Sequence, residues 1–249
     1  MKAIFVTGTA GAGKSLLTAR LIQWYKDSGA FAASLNLDPG SLKLPYEPDI
    51  DVRDYVDIDI LMDNYGLGPN GSLVMASDMI ATRIDEIQSE VDELNPEYII
   101  VDTPGQIELF AFRASGPYFV SNFKAEEKAT IFAFDGMLVS APINFVSVSL
   151  LASAVKLRLQ TAQINALTKR DLVTDKLVNI LEWSSSAYAL DNALSGEKDA
   201  EYSLLSRELA KSLSKAGFGQ SIIAVSSLTM SGMVNLIGAI SRTINQGED

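Results

Sequence analysis

The octapeptide at residues 8–15, Gly-Thr-Ala-Gly-Ala-Gly-Lys-Ser, constrains this chain more than any other segment. It matches the pattern G-x-x-x-x-G-K-[ST] in full, between a short apolar run at residues 3–7 and a stretch of helical periodicity that begins at Lys14. A strand before this pattern and a helix after it form the context of a phosphate-binding loop. The alternative is an ordinary glycine-rich turn, which the full match in this context disfavours.

The chemistry of such a loop is that of a nucleoside-triphosphate site. Its backbone N–H groups surround a phosphate, and the positive end of the following helix adds to the attraction. Lys14 places a charge near the β- and γ-phosphates, and the hydroxyl of Ser15 is a ligand for Mg²⁺. The predicted nucleotide contacts in the loop are Gly11, Ala12, Gly13, Lys14, Ser15 and Leu16.

Composition excludes several kinds of chemistry. The 249 residues include no cysteine and no histidine, so disulfides, thiolate catalysis, zinc centres and histidine-based acid–base catalysis are excluded. A metal ion must therefore be a hard cation held by oxygen atoms. The net charge of −11 without a basic patch disfavours direct binding of nucleic acid.

Apolar runs predict strands that alternate with helices. We expect an α/β fold in a single domain (residues 1–249), with a doubly wound, mostly parallel sheet and helices on both faces. Its functional sites should lie at the carboxyl ends of the strands. The predicted strands are residues 3–7, 31–35, 98–102, 130–134, 164–168 and 221–225.

Helical periodicity adds three further expectations. A short helix is predicted at residues 57–63, and a longer one at 72–94 with Ile80, Ile84, Ile87 and Val91 on one face. A helical insertion is predicted at roughly residues 173–216, before the last strand. Its second apolar stripe comprises Leu204, Leu205, Leu209 and Leu213.

One uncharged segment, residues 136–155, is long enough for a membrane span. Pro142 and four serines dilute its hydrophobicity, so we favour a helix in the core or at a subunit interface, where a groove would suit a client helix. The apolar run at the N-terminus is too short for a signal peptide. We therefore expect a cytoplasmic protein without a membrane span.

The third predicted strand ends in Asp-Thr-Pro-Gly-Gln at residues 102–106. Asp102 has the position of an aspartate that holds Mg²⁺ beside a phosphate loop, directly or through water. The N–H of Gly105 can meet the γ-phosphate, and Gln106 can orient a water molecule. The alternative is a solvated aspartate or threonine that caps a helix.

The fifth predicted strand ends in Thr-Lys-Arg-Asp at residues 168–171, which has the form [NT]-K-x-D. The carboxylate of Asp171 can accept hydrogen bonds from guanine N1–H and the exocyclic amine, whereas adenine leaves it unpartnered. Lys169 can lie over the base. Ser227, after the sixth strand, fits a backbone contact to the guanine oxygen. The motif therefore favours GTP and GDP over ATP.

The tetrapeptide Gly68-Pro69-Asn70-Gly71 has a plain interpretation. Proline and glycine at these positions favour a β-turn that ends one segment before a helix starting near Ser72. On that interpretation, Asn70 has no chemical role.

Taken together, five segments resemble the GPN-loop GTPases, in the order typical of that family. They are residues 8–15, 36–39 (Asn-Leu-Asp-Pro), 68–70 (Gly-Pro-Asn), 102–106 and 168–171. A compact chain without long acidic tails favours an archaeal member. One departure is Thr168, where many members carry asparagine: a hydroxyl alone then ties the base loop to the phosphate loop, which puts the guanine affinity in doubt.

The resemblance implies partners and further roles. Family members are dimers, so a homodimer is expected here, with Gly68, Pro69 and Asn70 of one subunit reaching the active site of the other. Eukaryotic members are tied to RNA polymerase assembly and nuclear import, which implies a protein client. Two functions remain open: a GTPase switch gated by assembly, or a GTP-dependent assembly chaperone in which hydrolysis matters less. A third function, that of ATP-dependent relatives that deliver metals or position proteins at membranes, is disfavoured. Those relatives carry a signature lysine where this chain has Thr9.

Asp38 is the candidate residue for accepting a proton from the attacking water or for orienting that water. The family places this aspartate near Mg²⁺ and the water, while a plain turn aspartate before Pro39 is the alternative. Glu108 is a second carboxylate that could take the proton of the water. The predicted catalytic set is thus Lys14, Asp38, Asn70 and Gln106, and the predicted metal ligands are Ser15, Asp38 and Asp102. For Arg53, a surface role and an arginine-finger role remain open.

Overall fold

The structure, a computed structural model, describes residues 1–196, 200–215 and 221–244. Its seven strands form one fully parallel sheet in the order β3-β2-β4-β1-β5-β6-β7. The predicted doubly wound parallel sheet is therefore confirmed. The strands are β1 (Lys2–Gly8), β2 (Ala32–Asn36), β3 (Ile50–Asp51), β4 (Tyr98–Asp102), β5 (Glu127–Asp135), β6 (Ala162–Thr168) and β7 (Ile222–Ala224).

Helices cover both faces of this sheet. They are α1 (Lys14–Asp27), α2 (Ile58–Tyr65), α3 (Pro69–Thr82), α4 (Ile84–Leu94), α5 (Ser115–Asn122), α6 (Pro142–Leu159), α7 (Leu177–Ser185), α8 (Ala187–Ser195), α9 (Ala200–Lys215) and α10 (Met233–Ile244). A short π-helix, Glu108–Phe112, follows β4. The helical insertion before the last strand is present as α7, α8 and α9.

The alternation of side chains along the strands divides the core in two. Ala3 and Phe5 of β1 belong to a cluster with α3–α8, whereas Ile4 and Val6 belong to a cluster with α1 and α10. Successive side chains of a strand point to opposite faces, so a strand covered on both faces must be apolar throughout. This requirement explains the continuous apolar runs in the sequence.

Two element boundaries were predicted wrongly. Ile50–Asp51 forms β3 beside β2, where no strand was predicted, because two residues are too few to show a strand pattern. The helix predicted at residues 72–94 is two helices, α3 and α4, which meet at Arg83. The stripe that indicated this helix is nevertheless buried throughout.

The β-turn predicted at Gly68-Pro69-Asn70-Gly71 is also wrong. Gly68 is the extended residue that precedes α3, and Pro69 is its first helical residue, a position where the missing N–H of proline costs nothing. The left-handed residue in this region is Gly66, which ends α2 with a φ of 60°. Asn70 therefore lies in the first turn of a helix.

Helix α6 contains most of the uncharged segment. It is the helix among the described residues that has the length and composition to cross a membrane. Its buried side chains, which include Phe145, Val148, Ala152 and Val155, pack in the larger core cluster. This burial agrees with the prediction of a core helix.

The apolar stripe predicted for α9 is wrong in part. Leu204 and Leu205 are exposed, whereas Ser203 and Ser206 are buried. Two small residues on the inner face let α9 pack closely, so the adjacent leucines point away from the core. Residues 197–199 and 216 of the predicted insertion lie outside the described residues.

These burial differences give a stability prediction. Replacement Ile87→Ala removes a side chain that is 0% exposed, and we expect it to lower the free energy of unfolding by about 2–5 kcal/mol. The matched change Leu204→Ala removes an exposed side chain and should alter it by about 0.5 kcal/mol or less. Chemical denaturation of both variants measures the difference. Equal losses would show that the face of α9 is assigned wrongly.

Candidate functional site

Most of the predicted functional residues lie at the carboxyl edge of the sheet. In the parallel register Val6 of β1 and Asn36 of β2 both pair with Asp102, the last residue of β4. On the other side of β1, Asp135 of β5 pairs with Thr168 of β6. The sheet thus brings together residues that are far apart in the sequence.

The loop at residues 8–15 has the backbone of a phosphate-binding loop. Gly11 and Gly13 adopt left-handed φ angles of 75° and 83°, which side chains with a Cβ disfavour. Helix α1 begins at Lys14, so its N-terminus points into the loop. The Nζ atom of Lys14 donates to the carbonyl oxygens of Gly8 and Thr9, each at 3.1 Å, and of Gly105 at 3.4 Å.

The ammonium group of Lys14 is buried. Its side chain is 5% exposed, and burial lowers its pKa from the ordinary value, while the carboxylates of Asp102 and Asp38 oppose that shift. An anion brought beside this ammonium would compensate the charge that burial leaves weakly solvated. The loop is therefore built to receive a phosphate.

Asp102 is the most deeply buried carboxylate of this edge. Burial raises its pKa to about 6, although the neighbouring hydroxyls of Ser15 and Tyr46 and the charge of Lys14 act in the opposite direction. The hydroxyl of Tyr46 lies 3.1 Å from Oδ2. The other oxygen, Oδ1, is buried and has no hydrogen-bond partner.

This arrangement fits Mg²⁺. An unpartnered buried carboxylate oxygen beside the Ser15 hydroxyl is a hard-oxygen donor pair of the kind that Mg²⁺ uses in phosphate-loop proteins, where phosphates and water complete the shell. The described residues contain no group of three or more carboxylates that could hold a metal alone. A metal here would therefore be bound together with the nucleotide.

Asp38 faces the segment after β4. Its Oδ2 accepts from the N–H of Gly105 at 3.0 Å, and its Oδ1 accepts from the N–H of Gly40 at 2.9 Å. The carboxylate thus joins the loop after β2 to the loop after β4, which is more than a local turn requires. The predicted contact of the Gly105 N–H with a γ-phosphate stays a prediction, and it requires this N–H to exchange partners.

Arg53 braces the loop that carries Asp38. Its guanidinium binds the carboxylate of Asp51 through Nε and Nη2 and donates from Nη1 to the carbonyl oxygen of Ser41 at 2.8 Å. Asn36 donates to Asp51 as well, at 3.0 Å. The guanidinium of Arg53 is thus bound within this network of loop contacts. This position favours neither a plain surface role nor an arginine finger.

Glu108 is the first residue of the π-helix, Gln106 lies two residues before it, and both are exposed. Among the described residues, neither side chain forms a hydrogen bond or an ion pair with Lys14, Asp38 or Asp102. π-Helical turns often occur at functional sites, because they change the direction of a helix locally.

The base end of the site is tied to the phosphate end. The hydroxyl of Thr168 lies 2.7 Å from the carbonyl oxygen of Ala12, the link between the base loop and the phosphate loop expected for this residue. Lys169 forms an ion pair with Asp135 at 2.7 Å. The Nε of Arg20 donates to the carbonyl oxygen of Ser227 at 2.8 Å. Asp171, two residues after Lys169, is half-buried.

Asn70 is placed differently from the other predicted residues. It is exposed, and none of the hydrogen bonds in the described part of the chain joins it to the phosphate loop. Pro69 and Leu73 of the same helix line an open cavity with Pro39 and Gly40. The start of α3 is therefore beside the Asp38 loop, with Asn70 on its outer side.

Three residues of the site were not predicted. Asp135 ends a strand, which is a signal for a functional position, but its pairing with Lys169 depends on the sheet register. Tyr46 and Arg20 contact the site through the fold, and no local pattern marks them.

The pKa of Asp102 gives a testable pH dependence. Because its folded pKa of about 6 is above the ordinary 3.8, the neutral form stabilises the fold, and that stabilisation is lost as the pH rises through about 4 to 6. At 1.36 kcal/mol per pKa unit, the loss is about 2–3 kcal/mol. Asp102→Asn cannot titrate, so without metal or nucleotide its stability relative to the parent protein should rise by this amount between pH 4 and pH 7. A constant difference across this range would contradict the assignment.

Comparison with known proteins identifies nucleotide-binding relatives, as the phosphate-binding loop predicts. A family model described as a conserved hypothetical ATP binding protein matches residues 6–246. A GPN-loop GTPase of Arabidopsis thaliana is 31% identical over 245 residues, which are 97% of this chain and 64% of that relative. A GPN-loop GTPase of Pyrococcus abyssi is 35% identical over 178 residues, 71% of this chain and 70% of the relative.

The solved structures include a close match in fold. The crystal structure of a GTPase from Pyrococcus abyssi, in its apo form, has a TM-score of 0.86 to this chain at 27% identity and covers 97% of both chains. The chain spans just under two thirds of the length of the Arabidopsis relative. The family is nevertheless clear from the matched length and the identity, and this chain belongs to the GPN-loop GTPases.

Proposed function

We propose that this protein binds GTP together with Mg²⁺ and hydrolyses it to GDP and phosphate, as a cytoplasmic homodimeric switch in the assembly of protein complexes. One observation carries the hydrolysis proposal. Lys14 and Asp38 both contact Gly105 beside a phosphate-binding loop, and the charge of Asp102, at the end of β4, acts on Lys14 in the same place. The names of the relatives, which are GTPases, support the same reaction.

The phosphate chain binds to the loop. The N–H groups that follow Gly11 and Gly13 and the N-terminus of α1 receive the phosphate oxygens, while Lys14 exchanges its carbonyl partners for the β- and γ-phosphates. Mg²⁺ supplies charge neutralisation on those phosphates when it is bound. Ser15 and Asp102 would hold it, and Asp102 presents an unpartnered oxygen.

The attacking water is handled by the loop after β2. Asp38 is the carboxylate that contacts Gly105, whereas Glu108 is exposed on the π-helix. In a chain without histidine, a carboxylate is the remaining base of suitable reach. Asp38 therefore accepts the proton of the water or orients its shell, and Gln106, exposed in the structure, must turn towards the phosphates if it is to orient the water as well.

Guanine is selected at the carboxyl end of β6. Asp171 accepts from the N1–H and the amine of the base, and Lys169 covers the ring with its stem, steadied by Asp135. The hydroxyl of Thr168 fixes the distance between base loop and phosphate loop through Ala12. The backbone of Ser227, held by Arg20, meets the guanine oxygen.

The proposed dimer completes this site. Asn70 is presented on a helical turn stiffened by Pro69, so little conformational entropy is lost when it meets a second surface. Asn70 is exposed on the outside of the Asp38 loop. This exposure supports the proposal that Asn70, with Gly68 and Pro69, contacts the nucleotide bound by the partner subunit. Exposed apolar side chains of the adjacent segments, Leu42, Ile60 and Tyr65, supply surface for association.

A second candidate function is a GTP-dependent assembly chaperone that binds a protein client, such as a part of an RNA polymerase. An apolar groove between α6 and the helical insertion supports it, lined by Phe145, Trp183, Leu190 and Leu213. A groove of this kind suits the apolar face of a client helix. Affinity capture with a hydrolysis-blocked variant loaded with GTP tests this function separately from turnover.

Nucleotide choice should depend on Asp171. In Asp171→Asn the carboxylate becomes an amide that can donate to the 2-oxo group of xanthine, so we expect the preference to move from GTP toward XTP. Competition binding with GTP, XTP and ATP measures it. The exposed Asp175→Asn is the matched control and should keep the preference of the parent protein. Equal affinity of the parent protein for ATP and GTP would refute the base assignment.

Hydrolysis should depend on Asn70 of the partner. Asn70→Ala should leave GTP binding nearly intact and slow hydrolysis by roughly tenfold to a thousandfold, the loss typical for one preorganised donor. Asn235→Ala, an exposed change on α10, is the matched control with unchanged turnover.

Mixed dimers test the action in trans. When Asn70→Ala is combined with Lys14→Ala, one site of the mixed dimer has an intact phosphate loop and an intact partner Asn70. Activity should therefore partly return. Absence of rescue, although mixed dimers demonstrably form, would show that Asn70 does not act across the interface.

A further inference from the structure

The loop between β2 and β3 brings a tyrosine to the metal end of the site. The hydroxyl of Tyr46 lies 3.1 Å from Oδ2 of Asp102, 56 residues away in the sequence. The ring of Tyr46 is half-buried against the core cluster that contains α1 and α10. The contact is thus supported by packing at one end and by a hydrogen bond at the other.

The backbone of this loop is anchored close to Tyr46. Asp49 accepts from both the N–H and the hydroxyl of Ser34 on β2, each at 2.7 Å, and its own N–H donates to Ser34 Oγ at 2.9 Å. The next residues form β3, which pairs with β2. Three residues before Asp49, Tyr46 is therefore held at a defined distance from the end of β4.

The two oxygens of Asp102 have unequal surroundings. Oδ2 accepts the Tyr46 hydroxyl, whereas Oδ1 is buried without a partner. A carboxylate that binds a metal through one oxygen is oriented by the donor on its other oxygen, and loss of such a donor typically weakens metal binding tenfold to a hundredfold. The pattern at Asp102 is the one expected for an oriented ligand.

We infer that Tyr46 is a positioning residue for Mg²⁺: it holds Oδ2 of Asp102 so that Oδ1 faces the metal beside Ser15. This inference rests on the proposed Mg²⁺ site and adds a residue to it. Tyr46 lies in the same loop as Asp38, which binds Gly105. One loop thus fixes both the metal ligand and the residue proposed to handle the water.

The test is Tyr46→Phe, which keeps the ring and removes the hydroxyl. Tyr55→Phe is the matched control, because the hydroxyl of Tyr55 also binds a carboxylate, Glu90, at 2.5 Å, on the surface. Binding of Mn²⁺ to the GDP complex is measured by electron paramagnetic resonance, and the Mg²⁺ dependence of the release of fluorescent GDP is measured in parallel. The affinity for GDP is also measured in EDTA, which removes the metal. This affinity shows whether the phosphate loop is still folded.

We expect Tyr46→Phe to weaken Mn²⁺ and Mg²⁺ binding by about tenfold to a hundredfold while GDP affinity in EDTA stays unchanged, and Tyr55→Phe to alter neither. A metal affinity equal to that of the parent protein would overturn the inference. So would a loss of GDP binding in EDTA, because Tyr46 would then be structural. If the parent protein itself shows no metal dependence, the proposed Mg²⁺ site fails, which is a different result from a failure of Tyr46 alone.

Discussion

A buried ammonium beside two carboxylates, of which that of Asp102 is buried and that of Asp38 half-buried, is the interaction on which this site depends. Lys14 bridges the phosphate loop and the segment after β4, and the charges of Asp102 and Asp38 act on it from the neighbouring strands. Burial lowers the pKa of Lys14 and raises that of Asp102, so both charges are costly where they lie. Such a site gains from a ligand that brings both negative phosphate and positive metal, as a nucleotide with Mg²⁺ does.

Much of the site could be predicted because its motifs are local. Gly11 and Gly13 supply left-handed backbone within eight residues of sequence, and the apolar run before them indicates the strand that positions the loop. The link from Thr168 to the phosphate loop was also predictable, since a hydroxyl at that position has one obvious partner once the fold is assumed. Asp38 and Asp102 meet because parallel strands end at one edge.

What could not be predicted depends on contacts between distant residues. The hydroxyl of Tyr46 reaches Asp102 only because β3 pairs with β2 and closes the loop, and β3 is too short to be seen in the sequence. The exposed leucines of α9 show the same limit, since Ser203 and Ser206 define the buried face through close packing. At residues 68–71, proline and glycine are equally compatible with a turn and with the start of a helix.

The position of α3 connects the nucleotide to the surface where Asn70 lies. Asp38 binds Gly105 with one oxygen and the N–H of Gly40 with the other, and a Cβ at Gly40 would lie 2.7 Å from Leu73 of α3. Gly40 thus lies directly against the tip of the Leu73 side chain, at the edge of the cavity that the loop and the helix line together. If a γ-phosphate takes the N–H of Gly105, the carboxylate of Asp38 must find a new partner, and its loop cannot move toward α3 without displacing Leu73. Exchange of one hydrogen bond at the nucleotide is thereby coupled, through direct contacts, to the helical turn that presents Asn70 to a second subunit.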